Sequence, residues 1–146
     1  MGKFNIFALA LVSAAAAAGV AWADDANCPP PGSPDAKVVV FPNPHWLRSP
    51  SSDDMVNAYP PMALRLHKTD QTETDCTVAD DGKLQSCKVL KDDKPGAGFD
   101  KASVKLSSAY RMAPLASLPE YTSLPDCARK SGPPHVVIPV TWNAGG

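Results

Sequence analysis

Between Cys76 and Cys87 the chain reads Cys-Thr-Val-Ala-Asp-Asp-Gly-Lys-Leu-Gln-Ser-Cys, two short β-prone arms that meet at Asp81-Gly82 and each end in a cysteine. Asp-Gly between such arms is a strong hairpin signal, because glycine enters the positive-φ region of a tight turn without a Cβ clash. With Asp81-Gly82 as a two-residue loop, Cys76 and Cys87 lie equally far from the turn and face each other across the ladder, within disulfide reach. A type I turn with a bulge at Gly82 shifts that register by one, so the pairing in detail stands open. The rival reading of the two thiols is a metal half-site, but neither a Cys-x-x-Cys nor a neighbouring histidine accompanies them.

The N-terminus explains why a disulfide is permitted. Lys3 precedes a mostly apolar run from Phe4 to Val20, and Ala21-Trp22-Ala23 places small residues where a signal peptidase reads. Residues 1–23 are read as a signal peptide, and cleavage after Ala23 delivers the chain to an oxidising space. The alternative keeps residues 4–23 as a membrane anchor, since about 20 apolar residues span a bilayer. The mature part, about 120 residues, is the size of one domain. The whole chain carries a net charge of −1, and loss of Lys3 makes it −2. Neither nucleic acid nor, after cleavage, an anionic membrane is suggested as a partner. All four cysteines are in the mature part. If Cys76 pairs with Cys87, the remainder is Cys28 with Cys127.

Residues 24–58 read as a Pro/Ser-rich arm. Pro29 to Pro34 is an extended leader, Val38 to Phe41 an edge strand or a packed apolar arm, and His45 to Asp54 a surface loop from which Trp46 docks. Tyr59-Pro60-Pro61 opens a short helix through about Lys68, as proline is tolerated in a first turn. Thr72–Val78 and Leu84–Leu90 are the hairpin arms. Asp100 is read as the N-cap of a helix, stapled by Phe99 onto Val104, with a buried face of Phe99, Ala102, Leu106, Ala109 and Tyr110 and an end near Met112. A proline-rich loop follows, from Leu115 to Pro134. Val136, Ile138, Val140 and Trp142 then alternate with Val137, Pro139 and Thr141 in a half-buried strand. Pro139, without a donor, places that strand at an edge or gives it a bulge. The expected fold is α+β, a three-stranded antiparallel sheet with two helices packed on one face.

No catalytic constellation stands out, and the expectation is that the chain is not an enzyme and has no cofactor or metal. His45, His67 and His135 lie in three separate segments without a carboxylate or cysteine at ligand spacing. Asp80-Asp81 belong to a turn, Ser51-Ser52 and Ser107-Ser108 lack a Gly-x-Ser-x-Gly setting, and Gly96-x-Gly98 is too short for a phosphate loop.

Five pieces in order resemble a known family. They are Tyr59-Pro60-x-x-Ala63; Cys76-x-Val78-x-x-Asp81-Gly82-x-Leu84-x-x-Cys87-x-Val89; Pro95-Gly96-x-Gly98-Phe99-Asp100-x-Ala102; Tyr110-Arg111-Met112-x-Pro114; and Val137-Ile138-Pro139-Val140-x-Trp142. Together, over residues 59–143, they resemble the C-terminal domain of the energy transducer TonB in a small exported form. The resemblance implies a periplasmic protein-binding module, associated with transport in the cell envelope, whose last strand pairs with an extended peptide by β-augmentation. The corresponding edge here is His135, Val136, Val137, Ile138, Val140, Thr141 and Trp142, with Tyr59 and Pro60 near it. The partner so implied is an envelope protein or peptide segment such as an outer-membrane receptor, with a homodimer through edge strands as a further expectation.

Three features depart from the family. Val56 and Asn57 stand where TonB transducers carry Gln-Pro, Pro139 removes a donor from the edge, and the loop carrying Cys127 is long. Two rival functions follow. One is a membrane-anchored transducer, although about 35 residues between Asp24 and Ala58 reach only about 110–120 Å when extended. The other is a structural envelope protein whose edge is covered by its own arm, such as Val38 to Phe41.

Overall fold

The computed structural model describes residues 38–144. The proposed signal peptide, the Pro29–Pro34 leader and Cys28, with its pairing to Cys127, lie outside the described residues. The described chain runs β1 (Val40–Phe41), β2 (Trp46–Arg48), α1 (Ser52–Ala58), α2 (Pro61–Arg65), β3 (Asp70–Val78), β4 (Leu84–Asp92), α3 (Phe99–Ser107), β5 (Arg111–Met112), a 3-10 turn (Leu115–Ser117), α4 (Pro119–Thr122), α5 (Asp126–Lys130) and β6 (His135–Trp142).

The fold is α+β, but not the expected three strands with two helices. A four-stranded sheet has the order β1-β6-β3-β4, and β2 pairs with β5 in a separate two-stranded ribbon. The strands β6, β3 and β4 are antiparallel neighbours, whereas β1 joins β6 in parallel.

The hairpin closes one residue differently from a two-residue loop. Ala79 N–H donates to Lys83 O at 2.8 Å and Gly82 N–H to Ala79 O at 2.8 Å, and Gly82 has φ +81. The loop is therefore Asp80-Asp81-Gly82, a turn completed by a left-handed glycine. Pairing starts at Val78 with Leu84 and Thr77 with Gln85, one step short of the equidistant register, and moves on to Asp75 with Lys88. Ser86, at φ +48, lies in this bulge. The bulge restores the register that sets Cys76 against Cys87, and the two form a disulfide.

On the helix side of the sheet, α3 packs on β3 and β4 through Phe99, Ala102, Ser103 and Leu106. Its N-cap is Gly98 at φ +90, not Asp100, which lies inside the first turn. It ends at Ser107 rather than near Met112, since Arg111–Met112 leaves the helix direction to pair with β2. The Leu115–Pro134 stretch is not a plain loop, because proline at N1 starts α4. Neither is His45 to Asp54. Ser51 caps α1, its Oγ accepting Asp54 N–H at 3.1 Å while Asp54 Oδ2 accepts Ser51 N–H at 2.9 Å, a reciprocal capping box.

The core centres on three rings in mutual contact. Tyr59 lies 5.5 Å from Phe99 and 5.6 Å from Trp142, and Phe99 is 5.7 Å from Trp142. The Trp142 indole N–H is shared between Thr72 Oγ1 and Ser103 Oγ, each at 3.2 Å, and those hydroxyls are 2.6 Å apart. A buried indole thus keeps its hydrogen bond without water.

Candidate partner-binding rim

Strand β6 alternates as its sequence predicts. Val136, Ile138, Val140 and Trp142 are buried toward α3, while Pro139 and Thr141 are exposed on the opposite face. Backbone groups alternate with the same parity between the two rims of a strand. His135 N–H donates to Val39 O at 2.7 Å, whereas Pro134 O accepts Val78 N–H at 2.8 Å. The odd-numbered residues therefore turn their backbone groups away from β3, toward β1 and the outer rim.

That rim is not a free edge along its whole length, which corrects the expectation for His135 and Val136. They pair with Val40 and Phe41. Beyond the His135 bond, this parallel register directs Phe41 N–H to His135 O and Val137 N–H to Phe41 O, and the paired segment ends at Phe41. The Phe41 ring is 4 % exposed and lies 6.2 Å from the Tyr121 ring, so the arm is anchored in the core. From Val137 onward, the outward groups are the carbonyls of Val137, Pro139 and Thr141 and one N–H, that of Thr141. Pro139 falls where its missing donor would face a guest.

Tyr59, expected near the rim, is only 8 % exposed. Its hydroxyl donates to Lys68 O, and burial, followed by the Asp70 charge, pushes the phenol above its usual range. It supports the end of β6 through Trp142 and is not placed to touch a guest. Pro60 precedes α2 and caps it without a side-chain bond. His135 faces Asp75, with Nδ1 at 2.9 Å from Oδ1 and 3.0 Å from Oδ2, and Lys88 Nζ lies 3.7 Å from Asp75 Oδ2. This polar cluster tethers the first residue of β6 to β3 and β4, a partnership hidden by a sequence separation of 60.

At the far end of β6 a cavity of about 280 Å³ opens among Thr69, Gln71, Lys94, Thr141 and Asn143. Among the described residues no group of three or more His, Cys, Asp or Glu side chains could hold a metal ion, and no helix is long and apolar enough to cross a membrane. The chain matches no protein-family model and no curated protein.

Proposed function

We propose that this chain is a non-enzymatic, TonB-like module of the periplasm that binds an extended peptide or protein segment by strand addition along the outer rim of β6. The observation that carries the reading is the pairing of β1: the rim accepts an extended segment in parallel, and the segment it holds is the protein's own arm. A guest would compete with Val40–Phe41 or continue from it over Val137 to Thr141. The Cys76–Cys87 disulfide supports an oxidising compartment. The second reading, a structural envelope protein whose edge is closed by its own arm, draws on the same pairing and on Pro139.

The test separates the two. Phe41→Pro removes both the ring and the N–H that pairs with His135, releasing the arm. A fluorescent synthetic peptide copying residues 36–45 is then expected to bind this variant in trans, weakly or not at all to the unaltered chain, and not to a Phe41→Pro, Val137→Pro double variant. Thermal melts establish that each variant is folded. A folded Phe41→Pro chain that binds this peptide but captures no envelope protein would sink the capture of a guest and leave the structural role.

A further inference from the structure

Away from the rim, three cations stand in a row. Arg48 on β2 is the direct cross-strand partner of Arg111 on β5, and Arg111 also forms an isolated bridge with Lys83, at the start of the hairpin's return arm. Like charges placed directly opposite one another destabilise a sheet. The same three side chains border a cavity of about 400 Å³ whose remaining walls include Leu84, Ser108 and Tyr110. This volume lies within the range of small-molecule sites.

Two carboxylates stand nearby, and both are already committed to backbone. Asp54 Oδ2 is 3.4 Å from Arg48 Nη2, but it also accepts the Ser51 N–H and Ser51 hydroxyl, each at 2.9 Å. Asp81 Oδ2 is 3.2 Å from Lys83 Nζ and 3.3 Å from Arg111 Nη2, while its Oδ1 accepts Lys83 N–H at 3.0 Å. The hydrogen bonds to backbone are the leading reason both carboxyls sit below their usual range. Three cations thus share two anions; Arg111 also donates its Nε–H to Asp81 O at 3.1 Å, so its Nη1 end and the Arg48 guanidinium are what remain for a further acceptor. Paired arginine forks match the oxygens of a phosphate or carboxylate. The Tyr110 ring is fixed against Trp46, with centroids 4.8 Å apart, and burial raises its phenol so that it stays neutral.

We propose that this cavity binds a small organic oxyanion, a phosphate monoester or a carboxylate, with its charged head among Arg48, Lys83 and Arg111 and its apolar body against Leu84 and Tyr110. The inference is independent of the rim and of what the rim binds.

Amide chemical shifts of the full oxidised chain, titrated at constant ionic strength, provide the test. The probes are phenyl phosphate, benzoate and inorganic phosphate, with sodium chloride as the balancing salt. Saturable shifts are expected around Arg48, Lys83, Leu84 and Arg111. Phenyl phosphate or benzoate should bind at least about fivefold more tightly than inorganic phosphate, and whichever of the two is stronger identifies the head group. Arg111→Gln should weaken binding about tenfold or more, whereas Lys91→Gln, at the other end of the hairpin, should leave it unchanged. If Arg111→Gln fails to fold, Arg48→Gln carries the same expectation, since its partner Asp54 is retained by the Ser51 cap. Shifts that match those from chloride alone, that spread over all basic side chains, or that persist in the folded arginine variants would overturn the proposal.

Discussion

At Gly82 two demands meet on one residue. Its backbone sits at φ +81, and a Cβ placed there would lie 2.0 Å from Met112 O. The contact is this close because Met112 N–H donates to Gly82 O at 2.9 Å, docking the turn onto β5. Gly82→Ala is therefore expected to cost about 2–4 kcal/mol, read as a lowered urea midpoint with an unchanged slope. The hydroxyls beneath Trp142 behave differently, because they back each other up. Ser103→Ala leaves Thr72 to accept the indole N–H, so a loss of about 1 kcal/mol is expected, whereas the Ser103→Ala, Thr72→Val double variant orphans the indole and should lose more than the two singles combined. Thermal melts of the four proteins close that cycle. At this scale the sequence was informative where a residue's role is set by its near neighbours in the chain. Gly82 and the alternating Val136, Ile138, Val140 and Trp142 were legible because turn geometry and pleat are local. The burial of Tyr59 was not, since it depends on Phe99 and Trp142 arriving from distant segments.

Among the elements, the hairpin shows how local rules combine. The Asp-Gly signal located the turn, but the three-residue loop and the Ser86 bulge together produced the disulfide register that a two-residue loop alone would also have given. Replacing both Cys76 and Cys87 with alanine is expected to cost about 2–3 kcal/mol, measured by chemical denaturation, through the freed loop of the unfolded chain. The other end of the hairpin is sensitive to pH. Asp92 is pushed above its ordinary value, first by burial and then by the neighbouring Asp70 carboxyl, and no described donor reaches the buried Asp70 Oδ2. A carboxyl whose folded pKa is raised favours the fold in its protonated form, so its contribution is present in acid and is lost as pH rises through the raised value. Asp92→Asn should raise the thermal midpoint at neutral pH and bring no gain in acid. Helix α1 escaped the sequence reading because Pro and Ser around it outweighed the Ser51-x-x-Asp54 capping signal, which was present. The end of α3 was misplaced because the apolar spacing continues through Tyr110, whose ring serves the β2–β5 ribbon instead.

Across the whole molecule, the antiparallel trio β6-β3-β4 was readable from periodicity and one turn, and β1 falls where Val38 to Phe41 was expected as an edge strand or an arm over the edge, whereas its parallel register and the β2–β5 pairing were not readable. Strands β1 and β5 are two residues each, and β2 is three, too short to show a period. Their partners lie far along the chain, so the cation row of Arg48, Lys83 and Arg111 had no sequence signature either. For the rim, the arrangement predicts a hydrogen-exchange pattern. The amides of Val136, Ile138, Val140 and Trp142, bonded to β3, should exchange slowly, and Thr141 fast, becoming slow only when a guest is bound. Protection of Thr141 in the free protein would mean that its neighbourhood is already closed. The placement of Pro139 also limits what could settle there. With His135 and Val137 engaged by the arm and position 139 lacking a hydrogen, the remaining stretch offers oxygen after oxygen and a single amide. A second copy presenting the same oxygen-rich stretch would find few hydrogens to bond with, whereas an extended segment with free N–H groups would match the geometry.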